Sequence, residues 1–222
     1  MMTSGTIIIT TSPIPSNPSL EIISNVISSL KENPILSSWL FVLVCDGVSN
    51  SSAENNSWKA GKITAESNEN YQEFKKELCN IYIPQPQQVS QELYQVGKRT
   101  FSSVTKKSGD DFIILEHSIR VGFALAVKSA FDMVVETDLV LINQHDWIFI
   151  NDPPLHKIVN IFSLEVDNVN YIAFASRRCR KYHTHNSNDI IRMIKREGAE
   201  IETMGGLPFC RLYFWYDRLF LL

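Results

Sequence analysis

Two short apolar runs near the start of the chain, joined by one helical pattern, constrain its fold more than any other feature. Thr6-Ile7-Ile8-Ile9-Thr10-Thr11 is β-branched throughout and suits a strand buried on both faces. Trp39-Leu40-Phe41-Val42-Leu43-Val44-Cys45 is a second such run, closed by Asp46-Gly47. Between them Leu20, Ile23, Val26, Ile27 and Leu30 recur at three-to-four spacing, one apolar face of a helix. Ser12-Pro13-Ile14-Pro15-Ser16 breaks the first strand. Asn17 reads as the helix N-cap with Pro18 in the first helical position, and Asn33-Pro34 as the stop. Two doubly buried strands joined by an amphipathic helix predict a parallel pair with a right-handed crossover. Asp46-Gly47 then falls at the carboxyl edge of that sheet, where open α/β sheets bind ligands.

The rest of the chain extends this pattern. Residues 48–70 are polar and aperiodic, which reads as a surface loop able to act as a lid. Tyr71 to Leu78 reads as a short helix and Cys79 to Ile83 as a short strand, ended by Pro84-Gln85-Pro86. Residues 88–110 carry a weaker helical pattern. Ile119 to Val135 gives the strongest helical signal, with Phe123, Ala126, Val127, Ala130, Phe131 and Val134 on one face. Leu139-Val140-Leu141-Ile142-Asn143 reads as a buried strand that stops at Gln144-His145-Asp146-Trp147. Pro153-Pro154 opens a helix with Leu155, Ile158, Val159 and Phe162 inward, and Asn170 to Ala175 reads as a further strand. A basic loop and a helix from Asn188 to Arg196 follow.

Composition closes off several classes. In 222 residues, 44% are apolar and 20% charged, as in a globular domain able to hold its own core. A net charge of −3 argues against nucleic-acid binding driven by overall charge. No apolar run approaches the ~20 residues that span a bilayer, and Met1 to Gly5 lacks a basic leader. A cytoplasmic location without a direct membrane span is therefore expected. Cys45, Cys79, Cys179 and Cys210 show no CxxC spacing, which predicts reduced thiols and no zinc site.

Candidate chemistry centres on Gln144-His145-Asp146. A carboxylate just after an apolar strand can hold Mg²⁺ or Mn²⁺, because hard cations take oxygen ligands and bridge to substrate phosphates. His145 offers a nitrogen more suited to Mn²⁺. The plainer alternative is a strand-ending turn in which Asp146 caps the next segment. Arg177-Arg178-Cys179-Arg180-Lys181-Tyr182-His183-Thr184-His185 is the one dense basic run, either a contact for a diphosphate or anionic acceptor or a solvated loop. His183 and His185 have the spacing of half a metal site, with no partner ligand evident.

Glu116-His117-Ser118-Ile119-Arg120-Val121-Gly122-Phe123-Ala124-Leu125-Ala126, continuing through Leu139 to Trp147, resembles a block of the GT-A glycosyltransferases. The likeness is to small glycosyltransferase-like proteins of algae and their large DNA viruses. Phe214-Trp215-Tyr216-Asp217-Arg218 is similar to a second block of that group. The likeness covers most of residues 6–218 and is most specific over 116–147.

The resemblance implies an α/β fold of GT-A-like (Rossmann-like) type, a three-layer sandwich with a mainly parallel sheet flanked by helices. It implies a single domain over 1–222, with a nucleotide-binding half over about 5–147 and an acceptor-side half over about 148–222. Thr10, Thr11 and Ser12 would lie beside the nucleotide, and Asp46 would contact its base or ribose. Arg120 and Gly122 would approach the diphosphate, Arg through its planar donor fork and Gly by close backbone approach. Asp146 matches the metal-binding end of the DxD motif, with His145 as a further metal ligand and Gln144 where the first acid usually stands. That departure implies weaker metal binding or metal-independent transfer. Asp217 would be the base that deprotonates the acceptor hydroxyl. The aromatic flank of Asp217 would stack on a sugar, or else close the core.

The expected activity is transfer of a sugar from a nucleoside diphosphate sugar, a UDP-sugar by preference, to a hydroxyl of a glycan or glycoprotein, assisted by Mn²⁺ or Mg²⁺. Members of that group tend to continue past the Trp-Tyr-Asp-Arg block to a histidine that this sequence lacks, so a truncated or frameshifted member, or one domain of a longer protein, is expected. Two alternatives follow: a nucleotide-sugar-binding protein without turnover, and a nucleotidyltransferase. The second would need a Gly-rich basic loop after the first strand, and Ser12-Pro13-Ile14-Pro15 is not one.

Overall fold

The computed structural model describes residues 4–13, 19–50, 62–148, 153–164, 172–173, 201–204, 207–212 and 218–221. The chain divides after Asp152 into two compact units, each described by itself.

The first unit is an α/β domain around a six-stranded sheet. Its elements are β1 (Gly5–Thr11), α1 (Leu20–Lys31), β2 (Leu40–Cys45), β3 (Ser49–Asn50), β4 (Lys62–Ile63), α2 (Ala65–Tyr82), β5 (Gln88–Gln95), β6 (Phe101–Ser108), β7 (Phe112–His117), α3 (Phe123–Met133) and β8 (Leu139–Gln144). The sheet runs β5-β6-β7-β2-β1-β8. β7, β2, β1 and β8 are mutually parallel, while β5-β6-β7 is an antiparallel meander. β3 and β4 form a separate parallel pair of two residues each.

β1 lies between β2 and β8 and is buried along its whole length, as its β-branched sequence requires. Register alignment separates the two faces. Ile8, Val42, Val44 and Leu115 face α3 and pack with Val104, Ala126, Val127 and Ala130. The opposite face carries Phe41 and Phe112, whose rings stack at 5.1 Å. Here Lys31 of α1 sits 4.7 Å over the Phe112 ring, and Tyr82 of α2 packs on the same ring at 4.7 Å. Tyr82 also donates its hydroxyl to Ser24 Oγ at 3.0 Å, tying α2 to α1. Helices therefore cover both faces of a mostly parallel sheet.

Several expectations are corrected. The α1 cap is Ser19, whose Oγ accepts from Ile22 N–H, and not Asn17. The segment read as helix then strand is one helix, α2, capped by Thr64 and running to Tyr82. Tyr71, Phe74, Lys75 and Leu78 keep the helical period unbroken, so Cys79 to Tyr82 is simply its last turn. The weak helical pattern over 88–110 is a β-hairpin. Its outer strand places Ser90, Glu92 and Tyr94 on the inward face, too polar to display a period of two. A strand not expected from the sequence, β7 (Phe112–His117), follows the polar stretch that ends at Asp111. α3 begins only after Gly122, and Phe123 and Phe131 of its expected apolar face are exposed. β8 is a half-buried edge strand and not a fully buried one.

In the second unit, α4 (Leu155–Leu164) follows Pro153-Pro154 and buries Leu155, Ile158 and Ile161. The strands β9 (Ile172–Ala173), β10 (Ile201–Met204), β11 (Leu207–Leu212) and β12 (Arg218–Leu221) form a sheet in the order β10-β11-β12-β9, antiparallel except for β12 and β9. The basic run 177–185, the expected helix 188–196 and Asp217 lie outside the described residues.

Candidate functional site at the carboxyl edge of the sheet

Strand order places the candidate residues. After β1 the chain builds outward through β2 to β7, then crosses back through α3 to set β8 on the other side of β1. The direction of winding reverses between β1 and β8, and it is beyond the carboxyl ends at such a switch point that open α/β sheets bind ligands.

The last residues of β1 bond to the segments on both sides of that switch point. Thr10 is paired with Gln144, and its carbonyl accepts the His145 N–H at 3.3 Å. His145 Nδ1 lies 3.2 Å from the same carbonyl, so the ring is buried and turned toward β1. The Thr11 carbonyl accepts the Asp46 N–H at 2.9 Å and the Tyr71 hydroxyl at 3.3 Å. Ser12 follows, half-buried. Asp146 is exposed in a turn closed by the Trp147 N–H on the Gln144 carbonyl, and Asn143 Nδ2 donates to the Trp147 carbonyl at 2.8 Å.

The end of β2 is organised by Asp46. Its Oδ1 accepts from Val121 N–H at 2.7 Å and from Gly47 N–H at 2.9 Å. Its Oδ2 accepts from Gly122 N–H at 3.0 Å and lies 3.9 Å from Arg120 Nε. Burial pushes the Asp46 carboxyl above its ordinary range, against the pull of the three N–H bonds and of Arg120. The carboxylate thus fastens the loop between β7 and α3 to the end of β2. Two glycines make the fit. Gly47 lies so close to Ile119 that a Cβ would sit 2.2 Å from its backbone carbon. Gly122 has φ +76°, a left-handed conformation that turns the chain into α3.

The structure therefore brings Asp46, Arg120 and Gly122 together on one side, and Thr10, Gln144 and His145 together on the other, with Thr11 bonded to the first group. The oxygens of Asp46 are engaged by its own chain, while Arg120 keeps part of its surface in solvent. Asp146 presents a solvent-facing carboxylate. Among the described residues, no group of three or more His, Cys, Asp or Glu side chains converges as a metal cage. A single carboxylate fits a hard cation whose remaining ligands are water and phosphate oxygens.

Three features here escape sequence reading. Tyr71 is fully buried and reaches the end of β1 from α2. Its membership of the apolar face Tyr71, Phe74, Leu78 was the available signal. The Thr11 hydroxyl is buried with no hydrogen-bond partner, the one such side-chain atom among the described residues. Glu116, at the end of β7, is flanked by Lys107 at 2.5 Å and Lys75 at 3.4 Å, with the Cys79 thiol against the same carboxylate. Burial pushes the Cys79 thiol up despite the nearby lysine.

No family model, curated protein or solved structure matches this chain.

Proposed function

We propose that the chain is a GT-A-type glycosyltransferase domain that takes a nucleoside diphosphate sugar, a UDP-sugar by preference, and transfers the sugar to a glycan or glycoprotein hydroxyl. One observation carries this reading. The insertion of β8 beside β1 sets Gln144-His145-Asp146 next to Thr10 and Thr11 at a winding reversal, the position at which open α/β sheets bind ligands. In this reading Arg120, held at the start of α3 by the Asp46 clamp, donates to the diphosphate. Gly122 allows close backbone approach, and Asp46 acts by positioning that loop. Asp146 holds Mn²⁺ or Mg²⁺, with His145 orienting the turn. The cation, when bound, neutralises charge on the departing diphosphate. Asp217 is assigned the base role for the acceptor hydroxyl.

A second reading is favoured by Gln144 in place of a first acid: a nucleotide-sugar-binding domain without turnover. Calorimetry with UDP and UDP-glucose, with and without Mn²⁺, tests the donor site. Manganese-dependent binding by the wild type, lost in Asp146→Ala, is the expected result. No binding of UDP or GDP by the folded protein refutes both readings. Binding without donor hydrolysis or transfer selects the second.

A further inference from the structure

β5 is an edge strand of eight residues, and among the described residues only β6 pairs with it. Edge strands in monomers are commonly blunted by lysine, proline or a bulge. β5, Gln88-Val89-Ser90-Gln91-Glu92-Leu93-Tyr94-Gln95, has no lysine or proline and a single charged residue, Glu92 on its inward face, and its register with β6 is continuous from Gln88 to Gln95. It displays two large apolar side chains on one face, Val89 at 58% and Leu93 at 76% exposure.

We propose that two copies of this chain pair antiparallel along β5, joining their sheets across a two-fold axis centred on Gln91. The strand's own sequence selects this register. A two-fold perpendicular to the sheet must set residues of equal parity opposite one another, because side chains alternate between faces. With the axis on Gln91, Val89 of each copy lies opposite Leu93 of the other, so both exposed apolar residues are covered twice over. Glu92 then faces Ser90. Moving the axis to Glu92 sets carboxylate against carboxylate and leaves Val89 and Leu93 opposite glutamines.

Charge at the ends agrees. The β5–β6 turn carries exposed Lys98 and Arg99 at one end of the strand. At the other end Gln87 hydrogen-bonds Asp110, whose neighbour Asp111 is also exposed. Antiparallel pairing carries the basic turn of each copy toward the acidic turn of the other. The hydrophobic pairs would supply affinity, and the turns would fix orientation in a salt-dependent way.

Sedimentation velocity of the full chain across a range of concentrations tests this. The expected result is a reversible monomer–dimer equilibrium that weakens with added salt and weakens roughly tenfold or more in Leu93→Lys. Leu93 is exposed, so the variant should keep its fold by circular dichroism. Gln91→Cys gives an independent readout, because opposed residues on antiparallel strands sit ~5 Å apart at Cα, within disulfide reach. Mild oxidation should yield a 91–91 cross-linked peptide by mass spectrometry. A chain that stays monomeric at every concentration overturns the proposal. So does a dimer indifferent to Leu93→Lys, a dimer whose Gln91→Cys variant gives no 91–91 link, or open-ended aggregation in place of a closed dimer.

Discussion

At the residue scale, the carboxyl edge of the sheet holds groups whose substitution should separate steric, conformational and hydrogen-bonding costs. Gly47→Ala forces a Cβ into the Ile119 backbone, which has no flexible end to move aside. It should destabilise by about 1–3 kcal/mol or more. Gly122→Ala meets no atom within 4 Å and suffers only from its positive φ. With ψ 167° this is a backbone region open essentially only to glycine, so its cost should be about 1–3 kcal/mol. Urea denaturation of the two variants checks both values. Thr11→Val replaces the orphan hydroxyl with a methyl of similar shape, so the unfolding free energy should rise by about 1 kcal/mol. His117 gives the pH dependence. It is buried between Ser102 Oγ at 3.1 Å and Ser129 Oγ at 2.8 Å, and Ser129 donates onward to the Ala126 carbonyl. Burial pushes its pKa down to about 4 from an ordinary 6.5. The folded protein therefore keeps His117 neutral over a range where the unfolded chain protonates it. Stability should be unaffected above pH 6.5 and fall between 6.5 and 4, by at most about 1.4 kcal/mol per pH unit from this group. His117→Gln should flatten that part of the stability–pH curve.

At the element scale, α2 links sequence pattern to site. It is eighteen residues long, buries Tyr71, Phe74, Lys75 and Leu78, and delivers the Tyr71 hydroxyl to the end of β1. Its first turn depends on the Thr64 side chain, which accepts from Ser67 N–H at 3.1 Å. Thr64→Ala should cost about 1 kcal/mol in chemical denaturation. This element also shows where sequence reading failed. Its polar face and the apolar cluster at its end resemble a short helix followed by a strand, and only burial of one continuous stripe settles the period. The β1-α1-β2 unit was legible because both strands are apolar on each face, which leaves a single packing solution. The β5–β6 hairpin was not, because a strand at the sheet edge is under little pressure to alternate. At the site, the strand pattern placed Asp46 at the carboxyl edge, while Arg120 and Gly122 were named only through the family resemblance, as contacts to the diphosphate. The carboxylate's commitment to three backbone N–H groups was not legible, since no spacing in sequence reports which donors a loop will present.

At the scale of the whole molecule, the candidate site is a product of topology. The Thr10–Gln144 pairing brings together segments separated by more than half the chain. Asp146 illustrates the division between fold and chemistry. Asp146 is exposed at a turn, so its replacement by alanine should leave stability within about 0.5 kcal/mol, while on the proposed function it removes manganese-dependent UDP binding. A matched pair of denaturation and calorimetry experiments reads both. The late return of β8 also has a consequence for biosynthesis. As the chain leaves the ribosome, β1 can pair with β2 after the first fifty or so residues have emerged. Its other edge stays uncovered until residues 139–144 follow. For that interval Ile7-Ile8-Ile9 borders an open hydrogen-bonding edge in a partly folded nascent chain, a template for misassembly. Chaperone engagement should therefore be strongest on chains stalled before Leu139, and should decline once β8 closes the sheet.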